Sequence, residues 1–408
     1  MAGPYELQKC EVVIEYCPSF PSLELVKHRG ATSGVVCRVL ALPDKGAVPL
    51  GGCKPVSKAA ISLAAQCLNV STGVWGEIGD LVEQFPELQQ LQSGLAVSMG
   101  YCRAESTLKT YLPWVKLWVE FSGRYGLEPF PVKVALFILF LQERLELAVA
   151  QRNKAGVVLN VVYAVDLVSR VKGTLEPGCN EQIKLLIVSA RRQLGRPTVR
   201  KKAVGKDLLS VMILHLLPDL SCIDLGKLRV AVFLVLSFVL VARWSEVAAL
   251  RADQLFDYGE HLVAFLEMRK CDQFREGSFV PFVDSQQPRG AASLVRLYLT
   301  YFVGEDMSLP LIRGVDRGRV KGQYLRPKGL SYTRMRELVR ECLTEVGEDP
   351  DGYGLHSYRA GAGTHTATDD AVLDRLWAKQ GGWASNCKDS YVEESENTSL
   401  MAARSLQL

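Results

Sequence analysis

The feature that most constrains this chain is a break between two helical halves. Residues Arg191 to Lys206 read RRQLGRPTVRKKAVGK, with seven basic residues, no acidic one, and Gly195, Pro197 and Gly205 to interrupt regular structure. Upstream, Tyr111, Trp114, Val115, Trp118 and Phe121 recur at three- and four-residue steps, the apolar stripe of an amphipathic helix. Ser106 suits its N-cap, and Gly123 and Gly126 close it. Helical patterns follow over Val132–Leu145, Ala155–Val171 and Asn180–Leu194, so this half is expected to be a compact all-α domain. Downstream, helices are expected at Leu208–Leu217, Lys227–Ala242, Ala291–Phe302, Ser331–Val346, Tyr358–Thr368 and Asp370–Gln380. Between them His261–Cys271 and Ser278–Val283 are apolar and rich in β-formers, which predicts a hairpin around Asp272–Gly277. The expected fold class is mainly α with a small antiparallel β-sheet.

With 408 residues, 48% of them hydrophobic, the chain has enough material for two or three domains. A net charge of +4 favours nucleic acid only where the cations cluster, as they do from Arg191 to Lys206. That run reads either as a solvated linker or as a strap across a phosphate backbone. The eleven cysteines include no C-x-x-C pair and fit reduced thiols inside a cell; a zinc site from Cys10, Cys17, Cys37 and Cys53 matches no standard spacing. The N-terminus has no basic start followed by an apolar block. The longest apolar run, Val230 to Ala242, is broken by Ser237 and falls short of the ~18 residues of a membrane span, so it reads as a buried helix. Residues 1–95 are the least legible, with CEVVIEYC at Cys10–Cys17 a candidate short strand.

Near the C-terminus stands His356-Ser357-Tyr358-Arg359, then Gly381-Gly382-Trp383, then Tyr391; far upstream stands Arg243, three residues before Glu246. These residues make chemical sense around a phosphodiester. Its anionic oxygens repel nucleophiles, so cleavage needs fixed positive charge and a proton for the leaving oxygen. Arg243 and Arg359 suit the first task, since a guanidinium fork holds two phosphate oxygens and stays charged. Glu246 can hold Arg243 from behind, or the two can form a mere surface pair; Arg359 can equally be a solvated helix residue. Lys270, at the end of the first hairpin strand, can reach a groove and protonate the leaving oxygen, with Arg269 and Arg275 as nearby competitors. His356, one residue before a helix, can take a proton or bond a phosphate oxygen, and can also be a structural hydrogen-bonder. Trp383 can donate its indole N–H or simply pack in the core. Tyr391 is the candidate nucleophile; with an unperturbed pKa of about 10 its phenolate needs neighbouring cations.

The order Arg, Lys, His-x-x-Arg, Trp, Tyr resembles the catalytic domain of the tyrosine recombinase (phage integrase) family over roughly residues 207–408. The wording of Ser106–Pro131, Leu355–Gly361 and Asp374–Trp377 is most like recombinases of eukaryotic DIRS-like or Ngaro-like retrotransposons. The resemblance implies four segments: residues 1–95 of unknown role, a helical core-binding (SAM-like) domain over 96–190, a basic linker over 191–206, and an α+β catalytic domain over 207–408. The two domains would close as a C-shaped clamp on double-stranded DNA. It implies Arg243, Lys270, His356, Arg359, Trp383 and the nucleophile Tyr391 as catalytic residues. Arg191, Arg192, Arg196, Arg200, Lys201, Lys202 and Lys206 would contact DNA. A 3′-phosphotyrosyl link would conserve bond energy, so no cofactor, metal or ATP is implied, and strand exchange would pass through a Holliday junction. The active form would be a homo-tetramer on two duplexes, a dimer per site, with no membrane partner and a nuclear location. Trp383 stands where the family more often has histidine, and Leu400, Met401, Leu406 and Leu408 are candidates for docking on a neighbouring subunit. The alternative is a DNA-binding derivative of a mobile element that no longer cuts.

Overall fold

A computed structural model describes residues 73–197, 200–270, 272, 276–283, 289–318, 322–367 and 374–383, together with the backbone of two short N-terminal strands. Those strands, β1 (Val13–Tyr16) and β2 (Glu24–Lys27), pair antiparallel, and β1 falls within the expected Cys10–Cys17 strand. The four N-terminal cysteines of the candidate zinc site lie outside the described residues, as do Arg275, Tyr391 and the C-terminal leucines.

The chain divides into two compact units, 49–199 and 1–48 with 200–408. The helical unit contains α1 (Gly73–Gln84), α2 (Gln89–Gly100), α3 (Glu105–Gly123), α4 (Val134–Ala150), α5 (Gly156–Val171) and α6 (Glu181–Leu194). The periodic stripe of α3 forms as expected, but the helix starts one residue before Ser106, with Ala104 at the N-cap position. Asn180 does cap α6, its Oδ1 accepting from the Gln182 and Ile183 amides at 3.0 and 3.4 Å. Helices α1 and α2 went unread in the sequence. Trp118 is the centre of this unit. It is fully buried, its indole N–H donates to the Pro129 carbonyl at 3.0 Å, and Phe137 meets it edge-on at 5.1 Å. A buried aromatic with a satisfied N–H joins large apolar burial to a fixed orientation.

The second unit runs α7 (Lys206–Leu216), α8 (Leu225–Val239), α9 (Trp244–Ala249), β3 (Leu255–Asp257), β4 (His261–Leu266), β5 (Ser278–Val283), α10 (Ala291–Leu299), β6 (Arg313–Gly318), β7 (Gly322–Gly329), α11 (Tyr332–Glu345), α12 (Ser357–Ala367) and α13 (Asp374–Gly381). Eleven of the fifteen residues of α8 are buried, so it is the axis on which α7, α10, α11 and α12 pack. This is the apolar run expected to be a buried helix; it ends at Val239 rather than Ala242. The hairpin forms with β5 as read and β4 shorter, paired in register from His261–Val283 to Leu266–Ser278, and β3 adds a third strand. Hairpin β6–β7 was not anticipated. No helix among the described residues is long and apolar enough to cross a membrane.

Replacing Trp118 by Ala should cost the helical unit about 3–5 kcal/mol. Thermal melts followed by circular dichroism would show this as a separate early transition, and a melt unchanged from wild type would remove Trp118 from the centre of that unit.

Candidate active site

The site begins where α8 ends. Val241 has φ 47°, a left-handed conformation that a β-branched side chain rarely adopts. Such a residue costs on the order of 1–3 kcal/mol and persists only where its surroundings hold it. Here they do. The Leu240 carbonyl accepts from Arg269 at 3.1 Å, and the Val241 carbonyl accepts from Arg359. The turn then sets Arg243 at the N-cap position of α9. Glu246, in the first turn of α9, reaches back. Its Oε2 accepts the Arg243 amide at 3.1 Å and its Oε1 accepts the Arg243 guanidinium at 2.8 Å. The carboxylate is 3% exposed, so the pair is no surface salt bridge.

Glu246 serves more than Arg243. Its Oε2 lies 3.8 Å from Arg269 Nε and 3.9 Å from an Arg359 guanidinium nitrogen, and its Oε1 is 3.5 Å from the Lys270 amide. Residues from α9, α12 and the β4–β5 connection therefore converge on one carboxylate. Arg359 is fully buried, not a solvated helix residue. Its guanidinium donates to the Gly381 carbonyl at 2.9 Å and stacks on the Trp383 ring at 4.3 Å. Trp383 itself is buried and packs with Val241 and Ala362, so it is both a core residue and a wall of the site.

His356 lies immediately before α12 and is exposed. Desolvation pushes its imidazole below the ordinary range, and the charges of Arg359, Arg243 and Lys270 push the same way, against Glu246. Both effects favour the neutral ring, the form able to take a proton. Lys270 is exposed just past β4, while its neighbour Arg269 is 5% exposed and faces the interior. The two candidates for one role thus occupy different places: Lys270 is the accessible amine, and Arg269 belongs to the floor. The inward turn of Arg269 was not legible in the sequence; the one signal was a pair of adjacent cations at a strand end, where alternation sends neighbours to opposite sides.

All seven basic residues of the Arg191–Lys206 run are exposed. Arg191 and Arg192 close α6, and Lys206 opens α7. Residues 201–204 run beside the segment leading to His356. The Lys202 amide donates to the Gly352 carbonyl at 2.9 Å and the Val204 amide to the Ser357 carbonyl at 3.0 Å. Gly361 makes the approach possible, since any Cβ there would strike the Val204 carbonyl.

Three guanidiniums around one buried carboxylate, with an accessible lysine beside them, leave surplus positive charge among the described residues. Solved structures show a matching architecture. The chain is similar to the XerH site-specific recombinase bound to a palindromic difH substrate, at 12% identity and a TM-score of 0.50, over 86% of this chain and 98% of that one. The fold is that of the tyrosine recombinases. Further similarity extends to a lambda integrase tetramer bound to a Holliday junction, at 12% identity and a TM-score of 0.45 over 84% and 83% of the two chains. The Tn1549 transposon integrase with transposon right-end DNA is similar at 9% identity and a TM-score of 0.47, over 75% and 95%. No protein-family model and no curated protein matches the sequence.

On a tyrosine recombinase fold, Glu246 is the residue whose loss tells most about this pocket. Glu246→Gln should cost about 3–5 kcal/mol, because buried guanidiniums lose their carboxylate. Chemical denaturation of the variant against wild type measures this, and a loss below 1 kcal/mol would show that the arginines are held by their carbonyl partners alone.

Proposed function

We propose that the protein is a site-specific DNA recombinase that cuts and rejoins DNA through Tyr391. The observation that supports this best is the convergence of Arg243, Arg269 and Arg359, with the Lys270 amide beside them, on the buried carboxylate of Glu246. In this reading the phosphodiester sits over the arginines. The Tyr391 oxygen attacks phosphorus while its proton passes to the neutral His356 ring. The bond from phosphorus to the 5′ oxygen breaks, and Lys270 gives that oxygen a proton. A 3′-phosphotyrosyl link and a 5′ hydroxyl result, and attack by the partner strand's 5′ hydroxyl reverses the chemistry. Arg359 stacks on the Trp383 ring at 4.3 Å, which places that ring beside the phosphate in this reading.

The family wording around Leu355–Gly361 supports a mobile-element recombinase of the DIRS-like or Ngaro-like kind. Such an enzyme would act as a homo-tetramer on two duplexes within the nucleus. Arg200-Lys201-Lys202 is a candidate import signal. A DNA-binding derivative that no longer cuts is the main alternative, and a strand-relaxing enzyme of the type IB topoisomerase kind shares the chemistry.

A nicked duplex pool, incubated with wild type and with Tyr391→Phe in chelator, tests the reading. A covalent protein–DNA band is expected in wild type and should vanish in the variant. Its rate should hold as pH falls through about 6.5, the ordinary imidazole value, and decline only lower, where His356 finally protonates. DNA binding with no band on any duplex would favour the non-cutting derivative, and relaxation of plasmids without a preferred site would favour the topoisomerase reading.

The basic run has its own signature. If Arg200, Lys201 and Lys202 contact phosphates, replacing all three by Ala should weaken binding on every sequence and reduce the slope of log K against log salt by about 2–3. A slope unchanged in a salt titration would make these residues a solvated surface.

A further inference from the structure

Arg269 is not among the residues the proposed chemistry uses, yet it is more deeply buried than Arg243, Lys270 or His356. Burying a guanidinium costs several kcal/mol unless its surroundings return that energy through good geometry. Neutralising Glu246 does not require it, since Arg243 already pairs with that carboxylate through both its amide and its guanidinium. The reason for a third cation must lie in what Arg269 holds in place.

Its contacts answer that. One guanidinium nitrogen donates to the Leu240 carbonyl in the strained turn, and Nε lies 3.8 Å from Glu246. From the other side Gly382, with φ 63°, lies against the same side chain. A Cβ at Gly382 would fall 2.8–2.9 Å from Arg269 Nε, Cδ and Cζ. Arg269 is therefore gripped between the end of α8, the first turn of α9 and the Gly381–Trp383 turn. Lys270 follows directly, and its amide points at Glu246 Oε1. Past Lys270 the chain is tied again. The Arg269 carbonyl accepts the Asp272 amide at 2.9 Å, and the Asp272 carboxylate accepts the Glu276 and Gly277 amides at 3.0 and 2.8 Å. Lys270 thus sits between an anchor in the floor of the site and a carboxylate that closes the loop across its base.

We propose that Arg269 is a positioning residue that fixes the root of the β4–β5 connection against the floor of the site and thereby sets where the Lys270 amine can reach. The inference rests on the recombinase reading, in which Lys270 protonates the leaving 5′ oxygen. Lysine would not replace Arg269, because one compact ammonium cannot reach the Leu240 carbonyl and Glu246 in the guanidinium's fixed geometry.

The test separates proton delivery from folding. The nicked duplex that wild type cuts best in a randomised pool is prepared twice, with oxygen or with sulfur bridging phosphorus and the 5′ carbon at the scissile position. A thiolate leaves without a proton, since a thiol has a pKa of about 8.5, far below that of an alcohol hydroxyl. Arg269→Lys should bind the oxygen duplex within about twofold of wild type and cut it about 100-fold more slowly at saturating DNA, the scale of a lost general acid. On the sulfur duplex it should return to within about threefold of wild type, as Lys270→Ala should. Equal deficits on both duplexes, or none on either, would overturn the proposal. If Arg269→Lys fails to fold, Gly382→Ala presses on Arg269 from the opposite side and should give the same sulfur rescue; a deficit without rescue there would overturn it equally. Wild type cutting no duplex of the randomised pool would instead bring down the recombinase reading, and the role of Lys270 with it.

Discussion

The second unit is organised by a carboxylate that cannot be solvated. Glu246 is buried, and a buried charge persists only when paired and hydrogen-bonded. That requirement draws Arg243, Arg269 and Arg359 to it from three parts of the chain. The dependence runs both ways, because each guanidinium is also too buried or too crowded to be held by water. What looks like a cluster of catalytic groups is first a mutual solution to a desolvation problem. Three cations to one anion leave a net positive charge among the described residues, which the proposed function assigns to a phosphate.

The turn at Leu240–Val241 shows how the backbone joins in. A left-handed valine is expensive, and a helix that ran on through Ala242 would avoid it. The continuous helix would, however, keep the Leu240 and Val241 carbonyls pointing along its axis. Breaking it there turns two consecutive carbonyls toward two arginines and frees Arg243 to begin a new helix with its amide on Glu246. Strain in one residue is exchanged for hydrogen bonds to charged donors, each worth about 1.5–3 kcal/mol. Gln380 reinforces the arrangement by donating to the Val239 and Pro281 carbonyls, tying α13 to α8 and β5.

Much of this was legible in the sequence, for a physical reason. Long amphipathic helices write their period into the chain, so α3 to α8, α11 and the β4–β5 hairpin were readable from apolar spacing. Hairpin β6–β7 was not. Its segment is dominated by Arg, Gly and Lys, and its buried positions are Arg313 and Leu325, so no alternation of apolar residues marks it. Arg243, Glu246, His356, Arg359 and Trp383 were singled out because their residue types fit one reaction, and the structure joins Arg243, Glu246, Arg359 and Trp383 by contact. Tyr391 stands outside the described residues. The end of α8 at Val239 was not readable, since Leu240, Val241 and Ala242 are good helix or core residues. Tertiary demand from two arginines overrides local propensity there.

The same logic accounts for the direction each neighbouring cation faces. Arg269 and Lys270 are adjacent, and either can in principle supply a proton or a charge. A guanidinium stays charged under all ordinary conditions and bonds several acceptors in a fixed plane, so it is suited to a dry floor where nothing should move. An ammonium is compact, rotates freely and can release its proton, so it is suited to the accessible side of the loop. In the proposed reading, exchanging the two would place a proton donor where no leaving oxygen can reach it and a permanent cation where a proton is needed. On that reading the order Arg-Lys at this strand end divides holding from delivering.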